Sequence, residues 1–400
     1  MKTPMAVRRR AERDARGRHP TARRQPDGRG PRARHRRVSP LFGLLVVLGF
    51  GLSLYGLVMV LSASSGDALG GGDPWTSFRR QALWLLAGLI AALFTSRLDY
   101  RLWRERLAVP LLVVTAALLV LVLVPSIGLE VNGARRWIGV GGFTFQPSEL
   151  AKLALIIWIA DMVTRRNRDV GDLSSTLLPV LLWTGGFAVL LVAEPDLGTA
   201  IVVCTVVFVV LFMAGASLQH LWLLGGATAC MALTLAWLAP YRRERLLAFT
   251  DPWADPLESG YQTVQAGVAL ANGGVSGVGL GASRGKWGFL PEAQTDFIYA
   301  IVAEEFGLIG GLSVLLAFVL IGGAGYLVAN RMRQRDPFAS LVAVGITTWI
   351  VLQAFVNIGA VVGALPITGV TLPFLSAGGS SLVVTMAGFG VLLNIASHVE

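Results

Sequence analysis

Hydrophobic runs long enough to cross a membrane recur from about residue 41 to residue 397, with polar segments between them. A helix rises 1.5 Å per residue, so roughly 17 to 25 apolar residues span the hydrocarbon layer of a bilayer. The pattern predicts an all-α fold class, a polytopic membrane protein with ten transmembrane helices. These predicted helices cover about residues 41–63, 80–96, 107–127, 148–164, 177–193, 198–214, 219–239, 296–328, 338–362 and 377–397.

Two intervals depart from this regular spacing. The polar stretch of about residues 240–295 predicts a long extracytoplasmic loop between the seventh and eighth helices. The eighth run is longer than one bilayer crossing and contains Gly307, Gly310 and Gly311. It therefore predicts a kink or close helix packing within that run.

Composition agrees with a membrane protein, since 54% of the 400 residues are hydrophobic and 14% are charged. The net charge of +10 arises in the N-terminal arm, where residues 1–37 hold 14 of the 34 Lys and Arg and 3 of the 24 Asp and Glu. We interpret residues 1–38 as a disordered basic cytoplasmic arm drawn to anionic lipid headgroups, and residues 39–400 as the membrane domain. No aromatic residues lie between the arginines of the N-terminal arm to stack bases, so no nucleic-acid partner is predicted.

Positive charge also orients the predicted helices. Cytoplasmic connections carry an excess of Lys and Arg, and both termini are therefore expected in the cytoplasm of a multi-pass plasma-membrane protein. The basic residues of the even-numbered connections are Arg97, Arg101, Arg104, Arg106, Arg165, Arg166, Arg168, Arg331, Arg333 and Arg335.

An acidic pair marks the start of the eighth helix. Asp296 follows Thr295, a predicted helix cap, and precedes an apolar run, so its carboxylate is expected where water meets lipid. Glu304 is expected about 12 Å deeper on the same helix, where a carboxylate needs a partner or a function. The alternative interpretation is an ordinary cap followed by a buried ion pair.

Cations recur beside the predicted outer ends of the helices, against the usual charge rule. Their recurrence predicts an anionic ligand there, because the planar guanidinium group of Arg donates paired hydrogen bonds to phosphate. Lipid headgroups or acidic neighbours are an equally open explanation. These cations are Arg79, Arg80, Arg135, Arg136, Arg242, Arg243, Arg245, Arg284 and Lys286, with Lys152 just inside the fourth helix.

Acidic residues gather on the same side. Glu149 and Lys152 are three residues apart on one helix face and are expected to pair. Glu194 and Asp196 lie in a tight turn between the fifth and sixth helices, and Glu292 precedes Asp296. Cys204 and Cys230 fall in apolar segments and indicate neither a disulfide framework nor a metal site.

Six separated segments stand out in the sequence: NGARRWI (132–138), QPSELAKL (146–153), AEPDLGTA (193–200), DPWADP with GYQ (251–262), LPEAQTDFIYAIVAEE (290–305) and LPFLSAGGSS (372–381). They resemble the signature segments of the SEDS family, the shape, elongation, division and sporulation proteins. They occur in the family's order, and the resemblance covers about residues 40–398, closer to the division branch than to the elongation branch. Gln294 and Ala377 depart from the usual pattern of the family.

This resemblance implies a peptidoglycan glycosyltransferase that polymerises lipid II, a disaccharide-pentapeptide on undecaprenyl diphosphate, during septal wall synthesis. Asp296 matches the position of the family's proposed general base. The implied partners are a class B penicillin-binding protein, which is a transpeptidase, and other divisome proteins. The predicted substrate-binding residues are Arg80, Arg136, Lys152 and Arg243 for the diphosphate, with Glu149, Glu194, Asp196 and Glu292 ordering the arginines or holding a divalent cation, Mg²⁺ or Mn²⁺.

Two other functions stay open. A lipid II flippase would also use charges within the membrane, such as Lys152 and Glu304, although alternating access predicts polar groups near the midplane and related halves. A non-catalytic scaffold for the transpeptidase would need no carboxylate among arginines. Both are weaker interpretations than catalysis, because acidic and basic residues crowd one face of the predicted bundle.

Overall fold

The computed structural model describes residues 39–66, 73–131, 133–141, 143–165, 176–238 and 240–399. The predicted basic arm lies outside these residues, as do Arg166 and Arg168 of the predicted cytoplasmic connection between the fourth and fifth helices. The described chain is mostly helical, as predicted. Its helices are α1 (Pro40–Ser64), α2 (Pro74–Arg97), α3 (Tyr100–Val122), α4 (Pro147–Arg165), α5 (Leu178–Ala193), α6 (Leu197–Met213), α7 (Leu218–Leu238), α8 (Pro240–Thr250), α9 (Tyr261–Gly273), α10 (Ile298–Met332), α11 (Pro337–Val361) and α12 (Ser380–Ser397).

Helix length and composition fit a membrane protein. Six of the described helices, α1, α2, α3, α10, α11 and α12, are long and apolar enough to cross a bilayer. Helices α5 and α6 are apolar but shorter. Helix α4 carries more charge than these, and nearly all of its residues are buried.

Three helices form the centre of the bundle. Most residues of α4, α11 and α12 are buried, whereas α1, α2 and α3 expose much of their apolar surface. Helix α2 packs along α12, α10 packs along α11, and α3 packs along α4. This arrangement is typical of a membrane protein, since apolar side chains on the outer helices contact lipid and need no protein neighbour.

The all-α prediction is wrong between α3 and α4, where the chain forms a small antiparallel sheet. Its strands are β1 (Gly128–Val131), β2 (Ala134–Val140) and β3 (Phe143–Phe145), in the order β1-β2-β3. Inward residues Ala134 and Ile138 alternate with residues on the opposite face of β2, as expected of a strand with one buried side. The strands are short, and the apolar run that precedes them hides this alternation in the sequence.

The predicted interruption of the eighth hydrophobic run is confirmed in α10. Gly307 has a φ of +65°, which breaks the helix and separates Ile298–Phe306 from the rest. The segment of residues 274–279 fills the break with backbone hydrogen bonds, from Val278 N to Glu304 O at 3.0 Å and from Leu308 N to Gly274 O at 2.9 Å. The loop is thus joined to α10 through the main chain.

The stretch of residues 240–295 is not a simple loop. It contains α8, α9 and a π-helical turn at Gly285–Phe289. Helix α9 packs against α10, and Lys286 in the turn is only 5% exposed. Part of this stretch is therefore packed into the bundle.

Candidate active site

Asp296 lies immediately before α10 in a segment held by neighbouring elements. Its backbone carbonyl oxygen accepts a 2.7 Å hydrogen bond from Asn357 Nδ2 on α11. The carbonyl of Thr295 accepts another of 2.7 Å from Ser376 Oγ. Thr295 is not the predicted helix cap, because α10 begins at Ile298 and the Thr295 hydroxyl donates to an upstream carboxylate instead. The position of Asp296 is therefore fixed from outside its own helix.

The side chain of Asp296 is partly exposed and surrounded by charges of both signs. Burial raises its pKa to about 6, and the nearby carboxylates of Glu292 and Asp196 push the pKa in the same direction. The guanidinium groups of Arg245 and Arg136 act against this and lower the pKa of Asp296. A carboxylate with this pKa is ionised at neutral pH and is a stronger base than an ordinary Asp.

Arg136 lies on strand β2, which positions it near Asp296. Arg136 lies between the buried residues Ala134 and Ile138, so the alternation of the strand turns it toward the protein. Its Nε donates a 3.1 Å hydrogen bond to the carbonyl oxygen of Glu194, and its Nη2 donates to that of Pro195. One arginine thus joins the small sheet to the turn between α5 and α6.

That turn contains two acidic residues in different roles. Asp196 caps α6, accepting from Thr199 N at 3.1 Å, and also accepts from Ser148 Oγ at 3.4 Å. Glu194 is fully buried, and neither of its carboxylate oxygens has a hydrogen-bond partner within the part of the chain that the structure describes. Burial raises the pKa of Glu194 to about 9, with a further increase from Asp196 and a decrease from Arg136. Glu194 is therefore a neutral carboxylic acid at neutral pH.

Glu149 and Lys152 form the pair that their spacing predicts. Lys152 Nζ lies 2.8 Å from Glu149 Oε1 and 2.7 Å from Gln353 Oε1, and it sits 5.0 Å from the centre of the Trp349 ring. Lys152 is 2% exposed. Gln353 Nε2 in turn donates to the carbonyl oxygen of Thr371 at 3.0 Å. Both predicted substrate-binding residues are therefore engaged inside the bundle.

The other predicted site residues are more exposed. Arg80, near the start of α2, and Arg243 on α8 are both exposed. Glu292 is exposed too, with a φ of +56°. Arg135 pairs with Glu130 on the outer face of the sheet at 2.9 Å, so it points away from Arg136.

The sequence does not distinguish Arg245 from Arg242 and Arg243 as the arginine that acts on Asp296. It is half-buried on α8, two residues after Arg243, and its charge acts on Asp296 more strongly than that of Arg136. Residues two apart on a helix face different directions, so only one of the two can turn toward Asp296. No sequence signal distinguishes them.

The chain segment that connects α11 to α12 packs against Asp296. Gly369 has a φ of +73°, and a Cβ at this position would lie 3.6 Å from Asp296 Oδ2. A Cβ on Gly198 would meet the carbonyl oxygen of Thr368 at 2.7 Å. The backbone of this connection therefore lies against both Asp296 and the start of α6. A side chain at position 198 would clash with it, and the positive φ at Gly369 favours glycine there.

The predicted divalent cation finds no dedicated site in this arrangement. Within the described ranges, no three side chains of His, Cys, Asp or Glu lie close enough together to hold one metal ion. Oxygen ligands suit Mg²⁺ and Mn²⁺, but such ions need several of them at once. The divalent cation stays a prediction.

Comparison with known proteins places this geometry in context. The profile of a family described as cell cycle protein, FtsW, RodA and SpoVE, matches residues 43–400. A probable peptidoglycan glycosyltransferase FtsW of Nitrosococcus halophilus is 42% identical over 88% of this chain and 91% of its own length. Stage V sporulation protein E of Bacillus subtilis is 42% identical over 89% of this chain and 96% of its own length.

Solved structures share the fold. A chain from a peptidoglycan synthase complex, described as coordinating polymerization and crosslinking, superposes with a TM-score of 0.72 and 34% identity, covering 88% of this chain and 96% of the other. The rod shape determining protein RodA of Thermus thermophilus superposes with a TM-score of 0.65 and 31% identity, covering 88% and 95%. The likeness extends over almost the whole described bundle.

Proposed function

This chain belongs to the FtsW, RodA and SpoVE family, and we propose that it is a peptidoglycan glycosyltransferase that polymerises lipid II during septal wall synthesis. Curated relatives that share about two fifths of its residues carry the name peptidoglycan glycosyltransferase. The observation that carries the chemistry is the partly exposed Asp296 carboxylate, with a pKa raised to about 6 beside Arg136 and Arg245.

Asp296 is the proposed general base. It takes the proton from the 4-hydroxyl of the acceptor sugar while that oxygen attacks the anomeric carbon of the donor. The new C–O bond forms as the bond to undecaprenyl diphosphate breaks, and the anomeric configuration inverts. General-base assistance accounts for about 10² to 10⁴ in rate, so positioning and charge stabilisation supply the rest.

The departing diphosphate needs cations at the edge of the site. We assign this task to Arg136 and Arg245, because both act electrostatically on Asp296. The exposed Arg80 and Arg243 have room to contact a diphosphate or lipid headgroups at the entrance. Lys152 is instead a structural partner of Glu149 in this proposal.

The proposed topology has ten spans, with both termini in the cytoplasm and Asp296 at the outer face of the plasma membrane. A helix lies on each of the ten predicted hydrophobic runs, which supports the count. The basic residues of the even-numbered connections support the orientation. The stretch of residues 240–295 then lies on the outer side, where it meets the sugar units of lipid II.

The proposed partner is a class B penicillin-binding protein, with other divisome proteins around it. The similar synthase complex is described as coordinating polymerization with crosslinking, which supports a joint assembly. A transpeptidase beside this chain would crosslink the strands as they form.

The experiment is polymerisation of purified lipid II by the purified chain in detergent, with and without a class B penicillin-binding protein. In detergent there is no membrane for lipid II to cross, so a flippase has nothing to transport. Neither a flippase nor a scaffold joins sugars, so neither gives glycan strands. We expect strands from the full chain. No strands under either condition, from folded protein, would contradict the proposed function.

A matched pair of variants tests the diphosphate assignment in the same assay. Arg136→Ala removes the inward guanidinium group, and Arg135→Ala removes its outward neighbour on the same strand. We expect a lower kcat/KM for Arg136→Ala alone. Equal kinetics for the two variants would return Arg136 to a purely structural role.

A further inference from the structure

We propose that Glu304 is a positioning residue that, together with the hydrogen bonds from Asn357 and Ser376, holds Asp296 in place, an inference that rests on the proposed function. Asp296 precedes the short helical segment Ile298–Phe306, which the break at Gly307 separates from the rest of α10. A segment bounded by a break is free to shift unless other contacts hold it. Glu304 lies near the inner end of this segment and supplies such contacts.

The carboxylate of Glu304 is 1% exposed and accepts hydrogen bonds from four neutral donors. Ser283 Oγ donates at 2.5 Å, the backbone nitrogens of Arg284 and Gly285 both donate at 3.2 Å, and Asn272 Nδ2 donates at 3.4 Å. Two successive backbone N–H groups aimed at one carboxylate form an anion-binding concavity. A buried carboxylate is tolerated here because its hydrogen bonds replace those of water.

These bonds close a ring in the chain. Arg284 and Glu304 are 20 residues apart, and Asp296 lies between them. The ring runs through the π-helical turn, Glu292 and Asp296, and returns along the helical segment. Closing it removes conformational freedom from every residue inside, so Asp296 and Glu292 keep a fixed relation.

A second set of contacts also holds the ring. Glu305 Oε1 accepts from Ser62 Oγ of α1 at 2.6 Å and lies 3.4 Å from Lys286 Nζ. Lys286 also belongs to the ring, so this ion pair keeps the turn attached to the bundle. Without the Glu304 bonds, the ring is expected to loosen and to move Asp296 while the fold persists.

Replacement of Glu304 could lower activity in two ways, by destabilising the whole protein or by displacing Asp296. Loss of stability would lower the amount of folded enzyme and reduce the rate equally at every pH. Displacement of Asp296 changes its hydration and its distance from the acceptor sugar. Displacement of Asp296 therefore changes kcat per folded molecule and the pH at which activity is lost, and not only the yield of folded protein.

The experiment compares Glu304→Ala and Glu304→Gln with the parent chain, using hydrogen–deuterium exchange of residues 283–297 and lipid II polymerisation. Asp161→Asn is the matched control, because Asp161 is also buried and hydrogen-bonded but pairs with Arg165 at the far end of α4. Melting temperature in detergent reports the stability of each protein.

For Glu304→Ala we expect faster exchange in residues 283–297 and a kcat about 100-fold lower per folded molecule, as for a displacement of about 1 Å. The acid limb of its pH profile should move to lower pH, because a better-hydrated Asp296 holds its proton less tightly. Glu304→Gln keeps one acceptor oxygen and should fall between the parent and Glu304→Ala. Asp161→Asn should lose stability with neither change.

Unchanged exchange in residues 283–297, or a kcat per folded molecule equal to that of the parent, would overturn the role of Glu304. The exchange measurement needs no substrate. If the parent chain itself makes no polymer, the proposed function fails, while exchange still decides whether Glu304 closes the ring.

Discussion

Asn357 Nδ2 on α11 donates a 2.7 Å hydrogen bond to the backbone carbonyl oxygen of Asp296, and the same nitrogen donates to the carbonyl of Val370 at 2.8 Å. Asn357 is 3% exposed. One buried amide therefore joins α11, the start of α10 and the connection that covers the site. Asp296, the proposed general base, is held through its main chain, and its carboxylate takes no part in these two bonds.

Loss of this amide should affect activity more than overall stability. Asn357→Ala leaves the part-buried carbonyl of Asp296 and the buried carbonyl of Val370 without this donor, at a cost of up to about 1–3 kcal/mol for each, and it frees the segment at Asp296. We expect kcat for lipid II polymerisation to fall at least about tenfold.

The matched control is Asn394→Ala. Asn394 is also buried and bonded to backbone groups, accepting from Tyr100 N and donating to Ser96 O, at a site remote from Asp296. Its loss should lower the melting temperature with little change in kcat. Equal kinetic losses in the two variants would contradict the special role of Asn357.

The pH profile should report the charges around Asp296. A general base works in its ionised form, so kcat/KM is expected to fall as the pH drops through about 6, the pKa that burial gives Asp296. Arg245→Ala removes a cation that lowers this pKa and should move the acid limb to higher pH. Glu292→Gln removes an anion that raises it and should move the limb to lower pH. Arg243→Ala should leave the limb in place.

Initial rates of polymerisation across pH 5 to 8, a range of about three units around that pKa, measure these shifts. A limb that moves with Arg243→Ala and not with Arg245→Ala would show that the wrong arginine has been assigned.

Replacement of Glu194 by Gln should stabilise the chain, increasingly so at high pH. The folded chain keeps the Glu194 proton to a pKa of about 9, whereas an ordinary Glu loses it near 4.5. Between these values the unfolded chain binds fewer protons than the folded chain, so this group lowers the free energy of unfolding as pH rises. Gln keeps the shape and cannot ionise.

Melting temperatures of the two proteins in detergent should therefore diverge from about pH 5 toward pH 9, with Glu194→Gln higher. Coincident values over the whole range would mean that Glu194 is an ionised, solvated group. Glu194→Ala is the control for lost packing, and it should be destabilised at every pH.

The pair of Glu149 and Lys152 should behave as one unit. Lys152→Met alone leaves a buried carboxylate unpaired, which costs about 3–5 kcal/mol, and Glu149→Gln alone leaves a buried ammonium group. The double variant removes both charges, so it should be more stable than either single variant. A double-mutant cycle on unfolding in detergent measures this coupling.

Activity in the double variant then separates two roles of Lys152. Recovery of polymerisation together with stability fits a structural pair. Recovered stability with no polymerisation would mean that Lys152 contacts the substrate, as its position in the sequence first predicted.

Much of the fold follows from the sequence, because a helix in lipid must satisfy its own backbone and so needs a continuous apolar run. The excess length and the glycines of the eighth run also predict a kink or close packing within it, and the structure places the break at Gly307. The sheet at residues 128–145 was missed, since its strands are too short for their alternation to stand out. The need for a continuous apolar run predicts membrane-spanning helices, but it does not predict short strands.

The candidate site was predicted less completely. Asp296 and Arg136 stand out by charge and by family resemblance. The choice of Arg245 over Arg243 depends on the rotation of α8, and the burial of Lys152 depends on Gln353, which is 201 residues away in the chain. Contacts at such separation are set by packing, which a single sequence does not display.

The most direct test of the account is the rate of lipid II polymerisation by Asp296→Asn at pH 8, compared with the parent chain at equal amounts of folded protein. Asn keeps the size of the side chain and its position before α10, but it cannot accept a proton. We predict a rate lower by a factor of about 10² to 10⁴ with a melting temperature at least as high as that of the parent chain, because burial raises the pKa of Asp296 and the ionised form is less favourable in the folded protein. Polymerisation at the parental rate by folded Asp296→Asn protein would contradict the assignment of Asp296 as the general base.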